Sequence, residues 1–320
     1  MIAAGLRWRL KRKLRPYWNE MLASWPIYPA VRRSRNAEAQ ELFQQEQART
    51  ALAPVEERIV ADLRRDGIAL VDLDQLVPNP NFSQLSEWAE SLAGRDDMRR
   101  EIALRSSGVR PADAKGGKHY IVRPLGDKPD LDIQDLPVRL ALSAPILRVV
   151  SHYLGMLGRI TAIDLWYNLP TKGPGILSQR WHRDPEDLAL VKTFLYLRDC
   201  NESNGPFCYI PGTHKSGRSR RTIGGYNYPE DGAVDREYVP ERRRALTGKA
   251  GTLIFCDTTG LHKGGDPKEG ARFVLNTVYT SNASEPLLKQ WAPHCTIRGS
   301  LDDLDAAQKF AVACVQKNHW

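Results

Sequence analysis

The sequence predicts a mainly β fold with flanking helices, its strands gathered into an antiparallel sandwich or barrel. Three observations carry this. Five segments between residues 160 and 280 are rich in β-branched and aromatic residues. Gly, Pro, Asn or Asp punctuates the gaps, and no helical pattern intervenes, so a βαβ arrangement with a parallel sheet does not fit. Helical periodicities lie instead before Arg159 and after Ser300. With 320 residues and a hydrophobic share of 42%, the chain can bury a sizeable core.

In chain order, residues 37–52 are good helix formers without Gly or Pro. Residues 54–65 begin with Pro at a helix N-terminus and carry Ile59, Val60 and Leu63 on one face. Asp66-Gly67 breaks that helix, and IALVDL (68–73) reads as a strand. Residues 82–93 predict another helix, 105–130 a long polar loop, and 143–154 a helix stopped by Gly155. The strands then follow at 160–169, 188–197, 206–211, 251–257 and 271–280, interrupted by a polar insertion at about 215–250. A helix over 301–317, with acids in its first turn, closes the chain. The organisation expected is a basic segment 1–36 ahead of one domain over 37–320. That domain has a helical part 37–158 and a β core 159–282.

Charge is unevenly placed. Residues 1–36 carry nine Lys and Arg against the single acid Glu20, a surplus equal to the whole formal charge of +8. Leu6, Leu10, Leu14, Trp18 and Leu22 recur at intervals of four and can line one face of a basic amphipathic helix. Peripheral contact with an anionic membrane face is one reading; packing on the chain's own domain and an organelle transit segment are the others. The remainder is charge-balanced and has no nucleic-acid motif, so no nucleic acid partner is expected. No apolar run reaches the ~18–20 residues of a membrane span. Five cysteines without a CxxC pair indicate a reducing, cytoplasmic setting rather than a disulfide framework. The sequence sets no oligomeric state.

The chemistry concentrates in QRWHRDPED (179–187). His182 and Asp184 are two apart, so on an extended segment both side chains point the same way. An imidazole and a carboxylate can then hold adjacent positions on a divalent metal. His262, in TTGLHKGG (258–265), follows a β-like run and offers a third ligand. Two His and one carboxylate on one face of an octahedron leave three positions free, the arrangement of non-haem Fe(II) oxygenases. Two of these positions accept a bidentate 2-oxo acid and one accepts O2. Arg272, ten residues after His262, offers a planar fork for the acid's distal carboxylate. Strand parity puts Val274 and Asn276 on its face, toward the barrel interior. His214 reads as part of a structural turn, and His294, Cys295 and Cys256 as packing. Lys118, His119 and Tyr120 could face substrate, and the arginines Arg218, Arg220, Arg221, Arg242, Arg243 and Arg244 could bind an anionic substrate or form a solvated loop.

Residues 203–217, SNGPFCYIPGTHKSG, resemble the NGxLxxxPGTHKxG stretch of phytanoyl-CoA dioxygenase-like proteins. The run GTLIFCD…LHKGGD…R (251–272) is similar to that family's distal half, and LRRDGIALVDL (63–73) to its helix–strand entry. The resemblance spans about residues 54–282. It implies a double-stranded β-helix (a jelly roll, cupin-like) and an oxygenase dependent on Fe(II), 2-oxoglutarate and O2. It assigns iron to His182, Asp184 and His262 and the co-substrate carboxylate to Arg272. Phe194 falls where the family packs a ring on the co-substrate, and Asn168 resembles a further co-substrate contact. Gly264 replaces a hydroxyl-bearing residue of some members. Arg183 stands between the ligands, where the fatty-acyl enzyme has an amide; it is a candidate substrate contact that argues against an acyl-CoA.

The reaction implied is hydroxylation of an unactivated C–H, with oxidative decarboxylation of 2-oxoglutarate to succinate and CO2. Asp184 favours hydroxylation over halogenation, because halogenases of this superfamily lack the carboxylate. The substrate expected is small or lipid-linked and anionic. Two alternatives remain: a non-catalytic jelly-roll binding protein, and a cupin-like metalloenzyme of non-oxidative type. An intact ligand set argues against the first, and Arg272 against the second.

Overall fold

The computed structural model describes residues 28–107, 118–171, 175–215, 228–229, 231–283 and 293–316. The amphipathic stretch from Leu6 to Leu22 and the insertion arginines Arg218, Arg220 and Arg221 lie outside the described residues. The helical part comprises α1 (Tyr28–Arg35), α2 (Ala37–Arg49), α3 (Pro54–Asp66), α4 (Leu73–Leu76), α5 (Phe82–Ala93), α6 (Asp96–Ser106), α7 (Leu136–Ala141) and α8 (Ala144–Leu154). Among them run β1 (Ile68–Asp72), β2 (Ile121–Val122) and β3 (Asp130–Asp132). There follow β4 (Arg159–Asn168), β5 (Val191–Tyr196), β6 (Phe207–Tyr209), α9 (Asp231–Glu237), β7 (Arg244–Leu246), β8 (Thr252–Cys256), β9 (His262–Lys263), β10 (Arg272–Thr280), β11 (Thr296–Arg298) and α10 (Ala306–Val312).

The strands form a jelly roll. A six-stranded sheet has the order β1-β8-β5-β10-β4-β2, and a three-stranded sheet the order β7-β6-β9. All pairings in both sheets are antiparallel. An antiparallel bridge between His182 and His262 adds the 182 segment beside β9 as a fourth member of the smaller sheet. From β4 onward the chain crosses from one sheet to the other at almost every step, which is what closes the roll. β11 pairs in parallel with β3 apart from both sheets.

Strand parity separates two environments. On β10, Phe273, Leu275 and Tyr279 belong to the main apolar core, while Arg272, Val274, Asn276 and Val278 line a cavity inside the roll. Register carries the same division across neighbours: Leu275 lies opposite Leu165 and Leu195, and Asn276 opposite Asp164 and Phe194. The core face is covered by α3, through Ile59, Val60 and Leu63, and by α8, through Ile146, Leu147, Val149 and Val150. Burying each such aliphatic side chain contributes about 1.5–3 kcal/mol. The buried Glu56 carboxylate ties the two helices, accepting from Arg148 at 2.6 Å and from the backbone N of Ala53 at 2.9 Å.

Some expected elements differ in extent. The loop expected over 105–130 contains β2, because its hydrogen bonds come from the edge of β4 rather than from its own composition. The insertion at 215–250 includes α9 and β7, the latter paired with β6. The final helix is shorter than 301–317, because Asp305 caps it by accepting from Gln308 N at 2.8 Å. α1 is part of the folded body: Arg32 pairs with buried Asp187 at 3.1 Å, and Asn36 accepts from Ala283 N at 3.1 Å. Among the described residues no helix is long and apolar enough to cross a membrane. All five cysteines are free, and Cys256 is buried in the core as expected.

Gly67 shows why the helix-to-strand entry needs its glycine. It ends α3 in the left-handed region at φ 81°, and a Cβ there would lie 2.3 Å from the Tyr209 hydroxyl and 2.6 Å from His214 Nδ1. Tyr209 donates to Asp257 O at 2.9 Å, so it cannot yield without losing a buried hydrogen bond. We expect Gly67→Ala to cost about 2–5 kcal/mol, the sum of the left-handed penalty and overpacking. Urea unfolding checks this; a loss under about 0.5 kcal/mol contradicts the account.

Candidate metal centre

Two backbone hydrogen bonds bring the ligands together. His182 N donates to His262 O at 2.9 Å, and His262 N donates to His182 O at 3.0 Å. Such a reciprocal pair puts both side chains on one face, and the two imidazole centroids are 4.2 Å apart. Asp184 N donates to Thr258 O at 2.9 Å, which ties the segment after His182 to the turn before His262 and brings its carboxylate to the same place. His182 Nε2 lies 3.8 Å from Asp184 Oδ1, and His262 Nε2 lies 3.4 Å from Asp184 Oδ2.

Each ring is fixed from behind in the same way. His182 Nδ1 lies 2.8 Å from Arg180 O, and His262 Nδ1 lies 3.0 Å from Gly260 O. A carbonyl only accepts, so Nδ1 carries the proton and Nε2 keeps its lone pair for a metal. Burial, with His262 beside it, lowers His182 to about 3, so it stays neutral. Burial alone would raise Asp184, but Lys192 and the two histidines outweigh it and hold the carboxyl well below its usual range. Two imidazoles with Nδ1 tied to carbonyls, together with one ionised carboxylate, form a donor set for a divalent ion. All three ligand atoms lie within 4.8 Å of one another, near the spacing of ligands that share one ion with bonds of about 2 Å.

His182, Asp184 and His262 line a cavity of about 340 Å³ together with Arg272, Phe194 and Asn168. Arg272 donates to Gly205 O, just after the turn at Ser203 and Asn204. Asn168 lies opposite Arg272 in register and donates from Nδ2 to its carbonyl at 3.3 Å. The Phe194 ring lies 4.8 Å from that of Phe207, which in turn stacks 5.5 Å from His262. A Cβ on Gly264 would sit 3.3 Å from Arg272 Nη2, so this glycine leaves room beside the guanidinium. Hydroxyls are nearby nonetheless: Tyr120 and Ser178 share a hydrogen bond of 2.7 Å, and both line the cavity.

Of the residues expected to face substrate, Lys118 and Tyr120 line the cavity, and His119 and Arg183 do not. The His119 ring packs edge-on to that of Tyr120. Arg183 is buried on the opposite side of its strand-like segment and donates to Thr213 O at 2.8 Å and Thr259 O at 2.6 Å, where it braces the turns around the metal ligands. Burial pushes the Lys118 ammonium down, with Arg123 and Lys192 opposing Asp184 in the same direction. Arg243 pairs with Asp235, and Arg242 lies over the Tyr238 ring at 5.5 Å.

Several lining residues escaped the sequence reading. Glu186 continues the alternation of His182 and Asp184, and Lys192 shares the parity of Phe194; both signals were in the sequence. His294, read as packing, reaches the cavity from the bend just before β11. Arg123 pairs with Asp164 at 3.0 Å and lies 5.6 Å from the Trp166 centroid; it comes from the segment read as a loop.

Similar folds are known. EctD from S. alaskensis with 2-oxoglutarate and 5-hydroxyectoine has 19% identity and a TM-score of 0.51, over 84% of this chain and 87% of that one. The same protein in its apoform gives 20% identity, a TM-score of 0.51, and coverage of 84% and 90%. The alpha-ketoglutarate-dependent epimerase SnoN from nogalamycin biosynthesis gives 18% identity, a TM-score of 0.50, and coverage of 71% and 83%. At these identities the likeness is one of fold. A sequence search of curated proteins returned no match. The family model for phytanoyl-CoA dioxygenase (PhyH) matches residues 63–270, which takes in the metal triad and every strand of the two sheets except β10, the strand that carries Arg272. The chain therefore belongs to the phytanoyl-CoA dioxygenase family of iron- and 2-oxoglutarate-dependent oxygenases, and carries a buried metal triad of the kind such enzymes use.

Proposed function

We propose that this chain is an Fe(II)- and 2-oxoglutarate-dependent dioxygenase that hydroxylates an unactivated C–H bond of a small or lipid-linked substrate bearing an anionic group. The observation that carries the reading is the convergence of His182, Asp184, His262 and Arg272 on one cavity. Iron, 2-oxoglutarate and O2, when bound, supply the oxidation of substrate, with decarboxylation of the co-substrate to succinate. His182, Asp184 and His262 hold the metal and leave the remaining positions facing the cavity. Arg272 binds the distal carboxylate of 2-oxoglutarate through its planar fork. Ser178 and Tyr120 supply the hydroxyls that Gly264 does not. Asn168 fixes the strand that carries Arg272, and Phe194 forms an apolar wall that excludes water from the co-substrate. The presence of Asp184 supports hydroxylation over halogenation, since the carboxylate occupies the position a halide would need.

The cavity's size supports a compact reacting group, because about 340 Å³ has to hold the co-substrate as well. A lipid-linked molecule would therefore insert only one end. An adjoining cleft of about 260 Å³ is lined by Arg95, Arg105, Lys118 and Arg123 against Glu101 and Asp127. This basic excess supports an anionic group held there, with Lys118 and Arg123 lining both spaces.

The test is succinate formation from 2-oxoglutarate under air, with and without Fe(II). We expect Asp184→Ala to lower turnover at least about 100-fold through loss of metal. Arg272→Met should raise the 2-oxoglutarate concentration for half-maximal rate about 10–100-fold, the worth of a charge-assisted pair, without changing Fe(II) affinity. If the purified chain binds neither Fe(II) nor 2-oxoglutarate, the oxygenase reading fails. Membrane contact through the basic segment is tested by deleting residues 1–27, which spares Arg32 and Asn36 and their contacts with the body. We expect binding to phosphatidylglycerol-containing vesicles to drop at least several-fold in a sedimentation assay; unchanged binding removes the proposal.

A further inference from the structure

Lys192 occupies an unusual place for a lysine. It stands at the second position of β5, on the parity of Phe194 and Tyr196, and its side chain is only 11% exposed. Its ammonium donates to Asp184 Oδ2 at 2.7 Å and to Glu186 Oε1 at 2.9 Å. Glu186 is equally enclosed, with a side-chain exposure of 14%, and its second oxygen, Oε2, is buried without a hydrogen-bond partner among the described residues. All three groups line the cavity of the metal triad.

From this geometry we infer that Lys192, steadied by Glu186, is a positioning residue that sets the rotation of the Asp184 carboxylate, so that one oxygen is offered to the metal and the other stays on the ammonium. The inference rests on the oxygenase reading above and deepens it. The torsion that turns a carboxylate is broad and two-fold, so nothing within Asp184 selects between one-oxygen and two-oxygen binding. An ammonium bonded to one oxygen does select. Lysine, however, is a point charge on a flexible four-carbon stem and does not hold a direction by itself. A second carboxylate, projecting from the same alternating segment, gives the ammonium its second fixed point. The pair Lys192–Glu186 is neutral as a whole, so it steers Asp184 without altering the charge that the triad presents to a divalent ion. Outer partners of this kind typically change metal affinity about 10–100-fold when removed.

Anaerobic Fe(II) titration of the full-length protein with 2-oxoglutarate, followed by the metal-to-ligand charge-transfer absorption, reads the device without turnover. Lys192→Met should weaken Fe(II) binding about 10–100-fold and shift or broaden the band. Lys192→Arg, which keeps the charge, should recover part of the loss. Glu186→Gln keeps the bond between Lys192 and Asp184 and should show a smaller, several-fold loss. Because Glu186 acts through Lys192, the double variant should bind no more weakly than Lys192→Met alone. Circular dichroism and Tm establish that each variant is folded. If folded Lys192→Met binds Fe(II) within about twofold of the wild type with an unchanged band, the inference is overturned. Should Lys192→Met fail to fold, Glu186→Gln decides: wild-type affinity and band overturn the inference, and the several-fold loss supports it. Failure of the wild type itself to bind Fe(II) would instead sink the oxygenase reading.

Discussion

The metal triad depends on two backbone hydrogen bonds between His182 and His262, at 2.9 and 3.0 Å. They join segments far apart in the chain, and neither segment has regular structure of its own beyond β9's two residues. The bridge exists only because the roll closes. β9 is held on β6, β6 on β7, and β8 and β10 are locked into the larger sheet on either side of β5. The ligands are therefore preorganised by pairing between strands well separated in the chain. Tyr209 tightens this further. Its hydroxyl bonds Asp257 O, and a Cβ on Gly260 would lie 1.9 Å from that hydroxyl, so the turn that supplies the carbonyl behind His262 cannot shift.

The same period of two that makes a strand amphipathic here separates chemistry from stability. On β4, Ile163 and Leu165 face the helices, while Ala162, Asp164, Trp166 and Asn168 face the cavity. β5 and β10 follow the same rule. A one-residue slip in any of them would put polar groups under α3 and α8 and aliphatic ones around the metal. The apolar face thus fixes the register, and the register aims the site.

This explains which features the sequence disclosed. The long strands and α3, α5 and α8 were legible because their own periodicity marks them. The convergence of His182, Asp184, His262 and Arg272 on one cavity was legible because HxD, a later His and an Arg have a chemistry and an order. β2, β3 and β11 were not: each has two or three residues and takes its hydrogen bonds from a partner far along the chain, which no local pattern records. Arg183 was misplaced for a physical reason. Lying between two residues that face the metal, it must face the other way on an extended segment, and it does, toward the carbonyls of Thr213 and Thr259. The parity that found Asp184 also forbade Arg183 and extended to Glu186. Lys192 was hidden because a lysine among VKTFLYL looks like a solvent-facing position on a half-buried strand, whereas both faces of β5 are covered.

Charge in the cavity bears on what it can accept. Lys118, Arg123, Lys192 and Arg272 bring four positive groups to its walls. Asp127, Asp164, Asp184 and Glu186 bring four negative ones, so the lining is formally neutral. Buried charges persist only when paired, and here Arg123 meets Asp164 while Lys192 meets two acids. A ferrous ion and a 2-oxoglutarate dianion also cancel, so loading leaves the balance unchanged. A reacting group with net charge would disturb it with no counter-charge left inside. An anionic substrate is thus best accommodated with its charge outside, where Arg95 and Arg105 join Lys118 and Arg123, and with a neutral C–H-bearing portion extended toward the triad. The wall shared by the two spaces, rather than the metal centre, is what would distinguish one substrate from another.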